Sequence, residues 1–457
     1  MKIRFVTLGC KLNFAESSAI GKALLQRGHT RAKQGEEADI CVINTCSVTD
    51  NADHKDRQTI HRIHRQNPNA IIIVTGCYAQ LQPEQIAQIE GVDYVLGQNE
   101  KYEITQLVDD IERLRDSLED ASLQDAASGY SLEAQKIRVA NIREVEEFHG
   151  AYSKDDRTRC FLKVQDGCNY FCTYCTIPYA RGKSRNPRIS EVVTNAQQAL
   201  DEGAKEIVLT GVNIGDFGRS TGETFLELLR ALDSLENGVS PTGRSQSELQ
   251  VIGKSLEAKG MDYRIRISSC EPNLLTDEII DFVAQSKHFA PHFHIPLQSG
   301  SNEVLSIMKR RYTRELFEER VQHIKQVMPH AFIGVDCMVG VRGETEECFN
   351  DYVEFIKRLD VSQLHVFTYS ERANTRMLEL DVCIVPKAER QRRSKILHEI
   401  SEEKTRTFYA NQTGREAIVL WESKKEGDQM AGFTENYVKV YRPYDKAKVN
   451  TFEVIRL

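Results

Sequence analysis

No stretch of this chain approaches the ~18 consecutive apolar residues that a membrane span needs. No charge of one sign dominates either: 60 Lys and Arg stand against 67 Asp and Glu, for a net charge of −7. A chain-wide basic field of the kind that advertises nucleic acid is therefore missing, and any such binding must come from local patches. No internal repeat of solenoid period is visible. The start, MKIRFVTLGC, is charged and already strand-like rather than a cleavable leader. Together these absences give the expectation of a cytoplasmic protein without a membrane association. What is present is a chain of 457 residues, 40% apolar and 28% charged, too long for one compact unit and suited to several folded domains. Its twelve cysteines are too sparse for a disulfide scaffold. In a reducing compartment, patterned cysteines point to metal or redox chemistry.

The order of signals predicts a multi-domain α/β protein. Apolar runs at 3–8, 40–43, 71–74 and 92–96 alternate with helical stretches at 14–26, 51–65 and 83–89, the pattern of a parallel sheet wrapped by helices. This N-terminal α/β domain is assigned to residues 1–112. Residues 113–156 read as a linker, since 112–147 carry nine acidic and five basic residues with no sustained apolar period. Candidate strands at 159–164, 206–212, 263–268, 292–296, 332–339 and 363–368 follow, each pair separated by room for a helix. Six such units fall short of a full eight-strand barrel, so residues 157–385 are assigned to an incomplete (βα)6 barrel. The polar stretch 237–259 interrupts it as an insertion. A charged helix is expected over 386–410. Short β-like runs at 417–421, 437–441 and 452–455 then predict a small C-terminal antiparallel β-barrel over 411–457.

Three cysteines, Cys168, Cys172 and Cys175, form a C-x3-C-x2-C loop directly after the first strand of the second series. Thiolates hold iron–sulfur clusters, normally four to a cubane, so three from one loop leave one iron open to an exogenous ligand. A structural zinc site wants a closed fourth protein ligand, and none is obvious. Cys10, Cys46 and Cys77 each end a different apolar run of the first domain. Ends of parallel strands share an edge, where α/β folds place ligands, so these three can converge into a second site or stay as buried core thiols. Gly9 and Gly76 precede two of them and allow tight turns there. Cys41, Cys160 and Cys337 lie inside apolar strands and read as core residues.

These motifs, with Leu209-Thr-Gly-Val-Asn213, Ser268-Ser-Cys-Glu-Pro272, Pro296-Leu-Gln-Ser-Gly-Ser301 and Gly343-Glu-Thr345, resemble the methylthiotransferase family of radical S-adenosylmethionine (SAM) enzymes over essentially the whole chain. The resemblance implies two 4Fe-4S clusters, one on Cys168, Cys172 and Cys175 that opens SAM, and one on Cys10, Cys46 and Cys77 that presents sulfur. It makes the central barrel a radical SAM domain and the tail TRAM-like, an RNA-binding β-barrel. Its further implications are a tRNA anticodon stem-loop as substrate and an electron donor such as a flavodoxin or ferredoxin. Motifs around Cys10 and Cys46 look most like the branch that acts at C2 of N6-threonylcarbamoyladenosine. Branches acting on N6-isopentenyladenosine or on an aspartate of a ribosomal protein are the alternatives, as is a non-catalytic iron–sulfur RNA-binding protein. Arg342, where the family usually has proline, and Cys270, where it is usually aliphatic, are departures.

For SAM, Tyr174 resembles the aromatic that meets adenine in the superfamily. Thr210, Gly211, Asn213, Ser268, Glu271 and Gln298 are candidates because they sit at strand ends facing the expected cavity. For RNA, residues 154–188 carry eight Lys or Arg against three Asp or Glu, so Arg181, Lys183, Arg185 and Arg188 are expected phosphate contacts. Lys309, Arg310 and Arg311 form a second basic patch, and 387–406 a third. In the tail, Phe433 and Tyr437 are expected to stack on bases.

Overall fold

The computed structural model describes residues 1–33, 35–119, 136–153, 158–235 and 262–457. The insertion expected at 237–259 lies outside these residues. The chain divides into two compact units, Met1–Glu147 with Cys175–Lys183, and Phe148–Tyr174 with Ser184–Leu457.

The first unit is a parallel sheet of β1 (Lys2–Thr7), β2 (Thr30–Arg31), β3 (Ile40–Thr45), β4 (Ile71–Gly76), β5 (Tyr94–Leu96) and β6 (Ile137–Arg138), in the order β2-β1-β3-β4-β5-β6. Its central strands β3 and β4 are covered on both faces, which is why their sequences are unbroken apolar runs rather than alternating ones. Ile40 and Val42 pack into one core with Ile20 and Leu24, while Cys41 and Ile43 pack into another with Ile60 and Ile63. Helices Lys11–Gln26 and Asp50–Gln66 follow β1 and β3. Thr49 caps the second of these by accepting a hydrogen bond from Ala52 N at 3.1 Å. Residues 137–138, inside the stretch read as a linker, supply β6.

In the second unit, parallel strands stand at all six expected positions: β8 (Arg159–Lys163), β9 (Glu206–Thr210), β10 (Arg264–Ile267), β11 (His292–Gln298), β12 (Phe332–Val339) and β13 (Gln363–Thr368). A short antiparallel β7 (Ala151–Tyr152) pairs with β8. Strands β7 to β10 form one sheet and β11 to β13 another, joined by bridges between Ile265 and Phe289 and between Ser269 and His294. Together they make the expected incomplete barrel. Alternate residues Phe293, Ile295, Leu297, Ile333, Val335, Cys337 and Val339 enter one continuous core. Their neighbours Pro296, Asp336 and Gln298 therefore face the lumen.

The long helix Lys387–Ala410 lies against β13, where the Ser401 hydroxyl donates to Leu364 O at 2.9 Å and accepts from Leu364 N at 2.9 Å. The tail is a four-stranded antiparallel sheet of β14 (Glu416–Glu426), β15 (Gln429–Thr434), β16 (Lys439–Pro443) and β17 (Phe452–Arg456), in the order β16-β15-β14-β17. β15 was not among the expected runs.

A buried charge cluster ties this sheet to the start of the barrel strands. Glu206 on β9 is fully buried and accepts from Arg264 Nε at 2.6 Å and Arg266 Nε at 3.1 Å. The two guanidinium groups then donate onward to the carbonyls of Ile418 and Phe433, and of Thr434 and Glu435, at 3.1–3.3 Å. Burial alone would raise the Glu206 carboxyl, but the two arginines outweigh it and hold the group far below the usual carboxylate range.

Candidate metal and cofactor sites

The first unit brings Cys10, Cys46 and Cys77 to one edge of its sheet. Each follows the C-terminal end of its strand, β1, β3 or β4, and Cys10 is the N-cap of helix Lys11–Gln26. Cys46 and Cys77 are buried and Cys10 is exposed. Gly9 and Gly76 both have the positive φ that favours glycine, +95° and +104°. A Cβ on Gly9 would come within 2.6 Å of Cys46 Cβ, and one on Gly76 within 2.3 Å of Thr45 O. Both glycines are therefore required for the strand ends to approach. Burial raises the thiols of Cys46 and Cys77, and each is raised further by the charge of its neighbours, Cys10 and Cys77 for Cys46 and Cys10 for Cys77. Among the described residues, the His/Cys/Asp/Glu trio with ligand atoms all within 4.8 Å of one another lies elsewhere. The three sulfurs are near enough for their charges to act on one another.

Around them is a buried polar network that sequence reasoning missed. Gln98 Nε2 donates to Cys77 Sγ at 3.1 Å. Lys101 Nζ donates to Gln98 Oε1 and, at 2.5 Å, to Glu16 Oε2. Arg181 donates to Glu16 Oε1 at 3.1 Å and to Asn13 Oδ1 at 2.7 Å. Lys101, Glu16 and Arg181 are each at most 1% exposed. Against the rise that burial causes, Arg181 and Lys101 both favour the Cys77 thiolate, while Glu16 opposes them. A donor aimed at sulfur with cations nearby suits an anionic thiolate.

The C-x3-C-x2-C loop follows β8. Cys172 is buried, Cys168 and Cys175 half-buried, and the division between units falls between Tyr174 and Cys175. Cys168 Sγ accepts from Tyr170 N at 3.4 Å. Burial pushes its thiol up to about 12, with the Cys172 charge adding to the rise. The C-terminal end of helix Asn302–Ile307 fastens the loop: Thr173 N donates to Met308 O at 3.2 Å and Thr173 Oγ1 to Ile307 O at 2.8 Å. Arg311 stacks over the Tyr170 ring at 4.1 Å. Arg310 donates to Cys172 Sγ at 3.2 Å, to the Tyr174 hydroxyl at 3.3 Å and to Glu271. Burial raises the Cys172 thiol and Arg310 opposes that rise. Arg310 is thus a sulfur-facing residue, not part of the exposed basic patch expected at 309–311, because its partner Glu271 and the loop draw it inside.

The SAM candidates share this end of the barrel but are differently engaged. Glu271 is committed to Arg310. Thr210 Oγ1 donates to Val208 O at 3.0 Å within its own strand. Gly211 packs on Gln165, whose Oε1 accepts from Val212 N and Asn213 N at 2.9 Å each. That glutamine, unforeseen, also donates to Gly167 O at 2.7 Å and so braces the start of the cluster loop. Asn213 and Ser268 are buried. Gln298 ends β11 with φ +64°, uncommon for a non-glycine residue, and its buried Oε1 has no hydrogen-bond partner.

Several expected RNA contacts need correction. Arg181 is 1% exposed and spent on Glu16, and Arg185 is buried against Asp166 at 3.3 Å. Lys183 and Arg188 are the exposed members of that set. Phe433 and Tyr437 stack on each other at 4.9 Å, and Tyr437 lies 4.9 Å from His292 and 5.4 Å from Phe332. Arg159 lies over both rings. They pack into the contact between tail and barrel and are half-buried there. Tyr441 and Tyr444 are the exposed aromatics of the tail, 50% and 37%, with Lys439 and Lys425 over their rings.

Comparisons with known proteins follow this division. Residues 2–97 match a family described as "Uncharacterized protein family UPF0004", and residues 162–356 match the radical SAM superfamily. The threonylcarbamoyladenosine tRNA methylthiotransferase MtaB of Bacillus subtilis (strain 168) is 37% identical, covering 96% of this chain and 89% of that protein. The tRNA-2-methylthio-N(6)-dimethylallyladenosine synthase of Pelotomaculum thermopropionicum is 30% identical, covering 94% and 88%. In fold, the radical SAM methyltransferase TsrM of Kitasatospora setae, solved with cobalamin and a [4Fe-4S] cluster, covers 80% of this chain and 74% of its own at a TM-score of 0.52 and 14% identity. A relative this similar over nearly its whole length, together with a radical SAM match spanning Cys168, Cys172 and Cys175, makes the chain a member of the radical SAM methylthiotransferase family.

Proposed function

We propose that this protein adds a methylthio group to C2 of N6-threonylcarbamoyladenosine beside the tRNA anticodon, with SAM as both methyl donor and radical source. The observation that carries the reading is the second cysteine trio: Cys10, Cys46 and Cys77 follow the ends of three neighbouring strands, with Gln98 donating to Cys77 Sγ and Arg181 and Lys101 favouring its thiolate. A protein that needed only the radical SAM loop has no use for it. When bound, the cluster on Cys168, Cys172 and Cys175 supplies the electron that opens SAM, and the cluster on Cys10, Cys46 and Cys77 supplies sulfur.

The chain's own residues set the conditions. Arg310 stabilises the Cys172 thiolate, Gln98 and Lys101 do the same for Cys77, and Gln298 offers SAM an unsatisfied acceptor at the barrel mouth. Threonylcarbamoyladenosine is favoured over the dimethylallyl substrate by the higher identity to the relative named for it. Among the described residues no helix is long and apolar enough to cross a membrane, in keeping with work on tRNA in the cytoplasm. A small one-electron protein such as a flavodoxin or ferredoxin would supply the electrons.

Mass spectrometry of tRNA nucleosides from a strain lacking the gene tests the substrate. Loss of the methylthio form of threonylcarbamoyladenosine, restored by the gene, is the expected result. Loss from the isopentenyl nucleoside instead assigns the other branch, and unchanged tRNA overturns the reading.

The tail is TRAM-like in this reading, and its base-stacking surface is the pair Tyr441 and Tyr444 rather than Phe433 and Tyr437. Loss of one stacked base costs ~1–3 kcal/mol, so Tyr441→Ala should weaken tRNA binding by about tenfold in filter-binding assays at fixed salt. Unchanged affinity would remove this residue from the interface.

A further inference from the structure

Within the barrel lumen, on three adjacent strands, His294, Asp336 and His365 converge in a way neither cluster uses. His294 Nε2 is 2.7 Å from Asp336 Oδ1, and His365 Nδ1 is 3.6 Å from the same oxygen. One ligand atom from each residue lies within 4.8 Å of the other two. The backbone fixes this arrangement: Asp336 on β12 is in register with His365 on β13, and His294 on β11 bridges to Ser269. A site carried by paired strands is held more firmly than one on loops.

We infer that His294, Asp336 and His365 form a binding site for one divalent transition-metal ion, zinc or ferrous iron, distinct from both clusters. Two imidazoles and one carboxylate are the donor set of open-sided sites for these ions. Ligand bonds of about 2.0–2.2 Å place donors roughly 3–3.5 Å apart, which the 2.7 Å and 3.6 Å separations bracket. The Ser269 hydroxyl stands 3.4 Å from His294 Nδ1. It can accept the proton there and leave Nε2 its lone pair, the supporting contact that ligating histidines usually make. The side chains of His294, Asp336 and His365 are 16%, 17% and 38% exposed, so an ion could enter and keep open positions towards the lumen. Those positions would take an oxygen or nitrogen donor of a bound molecule. With three ligands of this kind and no thiolate among them, the site would not compete for cluster iron held by sulfur.

The test uses the full-length protein, anaerobically loaded with both clusters so that cluster cysteines are occupied, and Zn²⁺ as the probe in equilibrium dialysis with elemental analysis. One Zn²⁺ per chain beyond the cluster iron is the expected result. Asp336→Asn and His365→Gln should each reduce it at least tenfold with iron content unchanged, and Ser269→Ala should weaken it by about 10–100-fold. Having two ligand variants guards against one that fails to load iron. No tightly held Zn²⁺, or Zn²⁺ bound equally by iron-replete Asp336→Asn and His365→Gln, would overturn the inference and leave a hydrogen-bonded trio without an ion.

Discussion

Replacing Cys77 with alanine should remove half of the iron and acid-labile sulfide from the reconstituted protein and abolish methylthiolated product, while SAM is still cleaved. The reason is that the two sets of cysteines are supported by different side chains. Cys77 accepts from Gln98, and the cations that favour its thiolate, Lys101 and Arg181, also lie in the first unit. The loop holding Cys168 and Cys172 has its own support in Thr173, Arg310 and Arg311. The mirror experiment, Cys172→Ala, should lose the other half of the iron and all 5′-deoxyadenosine formation. Iron and sulfide analysis alongside chromatography of the SAM products reads both variants. If Cys77→Ala kept its full iron content, or still made product at the native rate, the first-unit site would have no part in the reaction. Cys10→Ala should behave as Cys77→Ala does, though Cys10 is exposed and the loss of a surface thiol disturbs packing less.

The largest stability effect is expected at Glu206. Glu206→Gln leaves two buried guanidinium groups facing a neutral amide, and uncompensated buried charge of this kind costs about 3–5 kcal/mol. The damage would concentrate where Arg264 and Arg266 hold the carbonyls of β14 and β15, and Trp421 is the protein's single tryptophan and sits buried in that sheet. Denaturant unfolding followed by its fluorescence should therefore report the loss directly. The pH dependence has a definite sign. The folded carboxyl titrates far below its unfolded value of about 4.3, so its stabilisation is fully present above that pH and is lost as pH falls through the folded value. The gap between native and Glu206→Gln proteins should accordingly be widest near neutrality and narrow below about pH 4.3. A gap that is small at pH 7, or that widens in acid, would mean the cluster contributes through packing alone.

Much of the frame was legible because its signals are local. Buried parallel strands such as β3 and β4 write themselves as apolar runs, and the cysteine loop is a contiguous motif. The three strand-end cysteines could be placed at a common edge as soon as the sheet was taken to be parallel. Whether they converged depended on Gly9 and Gly76 permitting close approach, which spacing does not reveal. β15 was missed since Gly432 and its polar ends break the alternation that marked its neighbours. Charge counting failed most clearly for Arg181, Arg185 and Arg310. A run of cations reports net charge but not which side chains turn inward, and each of these found a carboxylate outside its own run. The same blindness hid His294, Asp336 and His365, three ordinary residues inside apolar strands whose meeting is created only by register across the sheet.

The short segment Cys175–Lys183 has a practical consequence for anyone who would divide this enzyme at the gene level. Sequence order assigns it to the barrel, yet it builds the N-terminal unit and carries the guanidinium that neutralises Glu16. A polypeptide stopped after residue 147 would lack that cation, and the downstream remainder would expose a helix, Ile177–Arg181, stripped of its seat. A cut after residue 147 therefore leaves each piece without part of the unit it was meant to contain.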